Sequence, residues 1–370
     1  MNTPAAAIER FTIEIPDETL DDLARRLENT RWPDEVVDGG WDYGTNLEFL
    51  RDLCAYWLHS FDWRAQERSL NRLPQFLATI DGQRIHFVHL RGSSPDPLPL
   101  ILTHGWPSSF VEMTRLIPRL KDFDLVVPSL PGYGFSDKPG DRFASARTPD
   151  LWAKLMAALG YERYGVHGGD IGASVSTKLA QLYPDTVVGL HLLSVGGMID
   201  PSGDAPSEAE LAYLAQAERW GHAEGAYGRL QRTKPQSVAY GLNDSPAGLA
   251  AWIIEKFRSW SDCDGDVERA FTKDELLTNV TIYWATETIA ASFRPYWDSE
   301  HGGPVASPSV AVPTGFAIFP KDLSTPPREF AERFYNVRRW AEMPKGGHFP
   351  AHEQPDLLAA ELRAFFAELR

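Results

Sequence analysis

The chain of 370 residues holds only two cysteines, Cys54 and Cys263, far apart and in no ligand-like spacing. A disulfide framework and a cysteine-rich metal site are therefore not expected. No window approaches the roughly 18 to 20 apolar residues that a membrane span needs. Positive charge is in deficit, with a formal net charge of -15, which argues against nucleic acid or an anionic membrane surface as the main partner. No block of like charge is long enough to mark a disordered tail, and there is no internal repeat or long low-complexity segment. The opening "MNTPAAAIERFTIEIPDETLDDL" lacks a basic stretch followed by an apolar one, so no secretory signal is expected and the reading is cytoplasmic. What is present, 43% hydrophobic and 24% charged residues, is the composition of a soluble globular protein with a full core. The length suits one large domain with a lid, or two ordinary domains.

The first 75 residues read as helical and irregular. After Pro16, "PDETLDDLARRLENT" starts a helix with acidic residues in its first turn. In "NLEFLRDLCAYWLHSFDW" the apolar positions Leu47, Leu50, Cys54, Trp57, Leu58 and Phe61 share one helical face. From about residue 76 the texture changes, beginning with a hairpin pattern turned at Asp81-Gly82. Short apolar runs then alternate with helical stretches: Leu98–Thr103, Asp124–Val127, Tyr164–Val166, Val187–Leu193, Val312–Phe319 and Val337–Met343. Buried runs separated by helices predict a mostly parallel sheet with helices on both faces, an α/β fold. The stretch from about 200 to 305 breaks that rhythm. It is helical and aromatic, and reads as a lid inserted into one sheet.

The stretch "YGVHGGDIGASVSTKLA", Tyr164 to Ala180, reads as a buried strand, a glycine-lined turn and a helix. In that elbow a serine normally stands at the strained central position. Here the position is Asp170, with Gly168, Gly169, Gly172 and Ala173 as its small neighbours. The plain alternative is that Asp170 only caps the helix. Three other segments argue for chemistry. "LILTHGWPSSF" ends a strand where this fold supplies an oxyanion-hole amide, here that of Trp106, with the Ile171 amide as the second donor; His104 reads as structural. "EMPKGGHFPAHEQP" places His348 in a glycine-rich loop after the last strand, where a general base belongs, with His352 as a decoy lacking flanking glycines. "PTGFAIFPKDLSTPPREF" places Asp322 after a strand end, where it can orient the imidazole; Glu329 and Glu332 are alternatives on a helix-like run. The order nucleophile, acid, histidine is that of this fold.

A carboxylate nucleophile suits substitution at a saturated carbon. Serine opening an epoxide would leave an ether, whereas a carboxylate leaves an ester that water can cleave at the carbonyl. With a reference pKa of about 3.9 an aspartate is ionised near neutrality and needs no base for its attack. The histidine is needed only to activate water for the second step, and the oxyanion hole serves the tetrahedral intermediate on the aspartyl ester. Opening the ring also needs a proton for the alkoxide, and a phenol suits that task. The lid offers Tyr227 in "EGAYGRLQRTKP" and Tyr296 in "SFRPYWDSE" for it, against a packing role for each.

These residues resemble the epoxide hydrolases of the microsomal and juvenile-hormone type, which carry a distinctive N-terminal extension. The blocks "FTIEIPDETLDDLARRLENTRWP", "HGWPSSFVE", "PSLPGYGFSDKP", "HGGDIGA", "TKPQSVAYGLNDSPAGLAAWIIEKFRSWSD" and "MPKGGHFPAHEQPDLLAAELRAFF" carry the likeness across nearly the whole chain. The resemblance implies the α/β-hydrolase fold, with residues 1–75 as the extension packing on the core, 76–199 and 306–370 as the two parts of the core, and 200–305 as a helical lid. It also implies Asp170 as nucleophile, His348 as base, Asp322 as acid, and Tyr227 and Tyr296 as the ring-opening pair. Two departures stand out: Ile171 replaces the tryptophan usual after the nucleophile, and no membrane anchor of the microsomal kind is expected. The expected partners are a small epoxide and water, with no cofactor, metal, nucleic acid or membrane, and a homodimer left open. The rival readings are a hydrolytic dehalogenase using the same three residues, and a non-catalytic ligand-binding member of the fold.

Overall fold

The computed structural model describes residues 7–196, 204–302 and 309–369. Among them nine strands form one sheet: β1 (Ala7–Phe11), β2 (Gln75–Ile80), β3 (Gln83–Leu90), β4 (Leu98–Thr103), β5 (Phe123–Pro128), β6 (Tyr164–Gly168), β7 (Val187–Leu192), β8 (Val310–Ile318) and β9 (Tyr335–Glu342). Their spatial order is β1-β2-β3-β5-β4-β6-β7-β8-β9. From β5 through β9 every neighbouring pair is parallel, whereas β1, β2, β3 and β5 pair antiparallel. Leu100, Ile101 and Leu102 of β4 are all fully buried, as expected of a parallel strand covered on both faces. Each apolar run picked out in the sequence lies in, or overlaps, one of the strands β4 to β9. The hairpin turn forms at Asp81 and Gly82, at φ +50° and +79°, the backbone that an Asp-Gly pair tolerates.

β1 corrects the reading of the first 75 residues as helical and irregular. It adds an edge strand to β2, with Ile8 opposite Ala78 and Arg10 opposite Phe76. Four of its five residues are exposed, so the one-sided burial that makes alternation visible in a sequence is missing. The helices that follow do form. Leu47–His59 starts where the Asn46 side chain accepts from the Phe49 amide, and it buries Leu50, Leu53, Cys54 and Trp57. It docks on the helical segment between β7 and β8: Trp57 Nε1 donates to Thr281 Oγ1 at 3.1 Å, and the Tyr56 hydroxyl donates to Asp274 at 2.8 Å.

That segment runs as helices from Glu208 to His301 and closes over the ends of the parallel strands. Its expected limits, 200 and 305, lie outside the described residues. No helix among the described residues is long and apolar enough to cross a membrane.

Candidate active site

Asp170 directly follows β6 and Gly169, at the head of helix Asp170–Leu182, with φ +51°. A non-glycine residue in that region costs about 1–3 kcal/mol and persists only where the surroundings impose it. Here they do so by close packing. A Cβ on Gly172 would lie 2.1 Å from the Thr103 carbonyl oxygen, and one on Gly105 would lie 2.4 Å from Asp170 Cβ. The helix is capped at Gly169 without a side-chain bond, so Asp170 is not spent as a cap. Its Oδ1 instead accepts from the Trp106 amide at 2.9 Å. The expected second donor is not engaged: the Ile171 amide lies in the first turn, where no intrahelical acceptor exists, and makes no hydrogen bond to Asp170.

His348 sits in the loop between β9 and the short helix Pro350–Glu353. Its Nδ1 is 2.6 Å from Asp322 Oδ1, and its Nε2 is 3.7 Å from Asp170 Oδ2. Asp322 therefore fixes the tautomer, with Nδ1 as donor and Nε2 as the basic nitrogen facing Asp170. The 3.7 Å gap exceeds a hydrogen bond and leaves the Oδ2 atom unclaimed. Burial disfavours the imidazolium, but Asp322 and Asp170 outweigh it and hold the histidine well above its ordinary range.

The alternatives fall away. His352 Nε2 lies 3.1 Å from Glu275 Oε1, a close contact not aligned as a hydrogen bond. Glu329 accepts from the Ser207 hydroxyl, and Glu332 pairs with Arg328 on the surface. His104 Nε2 accepts from the Leu130 amide at 3.2 Å, and burial lowers its pKa to about 4. It is a neutral core histidine, as expected.

Tyr227, on helix Ala226–Thr233, and Tyr296, on helix Arg294–His301, converge from the insertion on the same point. Tyr227 stacks on the fully buried Trp106 at 5.1 Å and 7°, and Tyr296 meets that ring edge-on at 6.0 Å. The two phenols are neighbours, 6.1 Å between centroids, and couple electrostatically without an aligned hydrogen bond. Burial, and then the negative charge of Asp170, raise both pKa values, so both stay protonated. The Tyr296 hydroxyl and the indole N–H groups of Trp106 and Trp260 are buried with no partner among the described residues. Such donors cost stability unless something accepts from them. Ile171 and Val175 line an open pocket of about 560 Å³ together with Pro235, Ala291 and Trp297. Asp170 does not line that cavity. Among the described residues no group of three or more His, Cys, Asp or Glu is arranged to hold a metal.

Several supporting residues escaped the sequence reading. Asn279 Nδ2 donates to the Pro107 carbonyl at 2.9 Å and the Tyr283 hydroxyl to the Ser108 carbonyl at 2.8 Å, so helix Lys273–Thr286 holds the loop that carries the Trp106 amide. Asp262 and Glu353 hold the loop of His348. Glu353 could have been noticed as an acid five residues after the base. The others are separated from their partners by 84 to 175 residues and leave no local signal.

A carboxylate on a strained strand-to-helix turn, facing a histidine backed by an acid, defines an α/β-hydrolase whose elbow residue is aspartate. Residues 8–113 match the family described as epoxide hydrolase N terminus, and residues 99–261 match the alpha/beta hydrolase fold. Epoxide hydrolase 1 of Oryctolagus cuniculus is 36% identical over 97% of this chain and 88% of its own length. The solved epoxide hydrolase of Aspergillus niger superimposes with a TM-score of 0.88 at 32% identity, over 99% of this chain and 97% of its own. The juvenile hormone epoxide hydrolase of Bombyx mori gives 0.87 at 32% identity, over 99% and 94%. The chain belongs to the epoxide hydrolase family.

Proposed function

We propose that this protein converts an epoxide to a vicinal diol through a covalent ester on Asp170. Oδ1 is held by the Trp106 amide, so Oδ2 is the attacking atom. It bonds to a ring carbon as that carbon's bond to oxygen breaks, and the alkoxide takes a proton from Tyr227 or Tyr296. Burial keeps both phenols protonated until that step, and their position over the Trp106 ring puts them at the mouth of the elbow. In the second step His348 Nε2 takes a proton from water, and the hydroxide adds to the ester carbonyl. Oδ1 becomes the oxyanion, received by the Trp106 amide and, once charge develops, by the free Ile171 amide. The bond between the carbonyl carbon and Oδ2 then breaks, and Oδ2 departs with the substrate carbon. The diol leaves with the proton from His348, the regenerated carboxyl of Asp170 gives up its proton to solvent, and the phenolate regains one, so the enzyme returns to its starting state. The helical segment between β7 and β8 acts in this reading as a lid that supplies the acids.

The observation that carries the proposal is the division of labour around Asp170: Oδ1 is bonded to an amide, and Oδ2 stands 3.7 Å from the basic nitrogen. That gap suits a bridging water better than a direct bond. A dehalogenase would need side-chain N–H donors for halide beside the nucleophile; Ile171 offers none, whereas two protonated phenols suit an alkoxide. A non-catalytic role has no use for the strain at Asp170 or for an oriented histidine. The test is a series of aryl and alkyl epoxides assayed beside chloroalkanes. Diol is expected to accumulate with no chloride above background; steady chloride release without diol would move the protein to the rival class.

A further inference from the structure

In the loop that carries His348 the four consecutive amides from Gly346 to Phe349 are all hydrogen-bonded. Gly346 N–H donates to Asp262 Oδ2 at 2.9 Å, Gly347 N–H to Glu353 Oε2 at 3.0 Å, His348 N–H to the Trp260 carbonyl at 2.8 Å, and Phe349 N–H to Glu353 Oε1 at 2.9 Å. Glu353 Oε2 also accepts from the Asp262 amide at 2.7 Å. Two carboxylates and the Trp260 carbonyl thus join four consecutive amides to residues 260–262, at the end of helix Pro246–Trp260 of the insertion. The approach is as close as a backbone allows: a Cβ on Gly347 would lie 2.5 Å from the Trp260 carbonyl oxygen. The same helix end presents the Trp260 ring, edge-on, to His348 at 5.3 Å, and it lies 5.1 Å from the Tyr227 ring.

We propose that Asp262 and Glu353 form a clasp that registers the base loop against the insertion, and that this clasp sets the position of His348 for ester hydrolysis. Neither side chain is a catalytic residue; both are positioning residues. The reason to look beyond plain stability is economy. Glu353 sits where burial pushes its carboxyl above the usual carboxylate range, only partly countered by the amides it accepts from. A buried carboxylate of that kind is an expensive way to hold a loop, but its two oxygens are spaced to grip the amides on either side of His348 at once. Alkylation does not depend on the clasp, because Oδ2 of Asp170 is aimed by the elbow and by Trp106. Hydrolysis does, because Nε2 has to meet both water and the ester, and a displacement of about 1 Å costs on the order of 100-fold.

The proposal rests on the covalent reading, and pre-steady-state kinetics separate the two. Wild type, Glu353→Gln and Asp262→Asn are mixed with styrene oxide in rapid quench; ester on Asp170 is followed by intact-protein mass and diol by chromatography. For Glu353→Gln we expect hydrolysis to slow by about 30- to 100-fold and for Asp262→Asn by about 10-fold, with alkylation within about 3-fold of wild type. The ester should then accumulate, and KM should fall together with kcat. If Glu353→Gln does not fold, Asp262→Asn, which removes one bond at the edge of the loop, carries the same readout. Hydrolysis at the wild-type rate, or equal slowing of both steps, would overturn the clasp. A wild type that forms no ester at all would instead overturn the covalent reading.

Discussion

The ground around Asp170 and the ground around His348 are built in opposite ways. At the nucleophile, five consecutive residues, Gly168 to Gly172, make the turn, and close packing against Gly105 and Thr103 forces its shape. Little but backbone touches the carboxylate. At the base, the geometry comes from side chains distant in sequence: Asp322 is 26 residues away and Asp262 is 84 residues from the amide it holds. The elbow is a rigid steric construction, whereas the base loop is an electrostatic one, suspended between the sheet and the insertion. In the proposed mechanism the first step thus falls to the part whose shape is fixed by close packing. The second depends on a part whose position is negotiated with the insertion.

The largest effects are expected where each side loses its reacting group. Asp170→Asn removes the charge and should lower kcat by about 10⁴-fold or more, with no mass gain on incubation with substrate; an alkylated variant at early times would break the contrast at its root. His348→Gln should lower steady turnover by about 10³-fold yet still gain the mass of one substrate, because attack needs only the carboxylate. Normal turnover by that variant would remove His348 from the role of base. Next in size, Tyr296→Phe should slow alkylation by roughly 10- to 100-fold and leave ester hydrolysis unchanged, as single-turnover measurements will show. Slowing of hydrolysis instead would place the phenol in the wrong step.

The pH profile sharpens the same contrast. The neutral imidazole is the active form, so hydrolysis should rise with pH through the pKa of His348. In the free enzyme burial opposes the cation, but Asp322 and Asp170 hold that pKa well above the ordinary value. Esterification removes the charge of Asp170, so the acid limb of hydrolysis should fall at lower pH than the titration of His348 in the free enzyme, read by NMR. Asp322→Asn should move the limb lower still, since it removes the remaining anionic neighbour. A limb that moves upward would contradict the assigned orientation. At the small end, Glu332→Gln breaks an exposed pair with Arg328 and should change stability by less than about 0.5 kcal/mol, with unaltered activity.

The two constructions also differ in how far they could be read from the chain alone. The elbow is legible because its demand is local: only small residues fit beside a strained turn, and they appear as such in "HGGDIGA". His348 and Asp322 are legible from their place after the last strands, since chain order is a topological constraint. The parallel strands are legible because burial on both faces leaves unbroken apolar runs. Glu353, Asp262, Asn279 and Tyr283 are not, because an acid or amide that grips a distant backbone looks like any other polar residue until the fold brings the two together. β1 is hidden for the converse reason: an edge strand with four exposed residues makes no pattern.

The central claim is that Asp170 itself bonds to the substrate, and oxygen labelling tests it without any substitution. In a single turnover in water enriched in oxygen-18, attack by Oδ2 carries an unlabelled aspartate oxygen into the diol, and water leaves its label on the carboxylate. The account predicts an unlabelled first diol and a peptide containing Asp170 heavier by one oxygen-18. A first diol that already carries the label, with an unlabelled Asp170, would mean direct attack by water and would contradict the account.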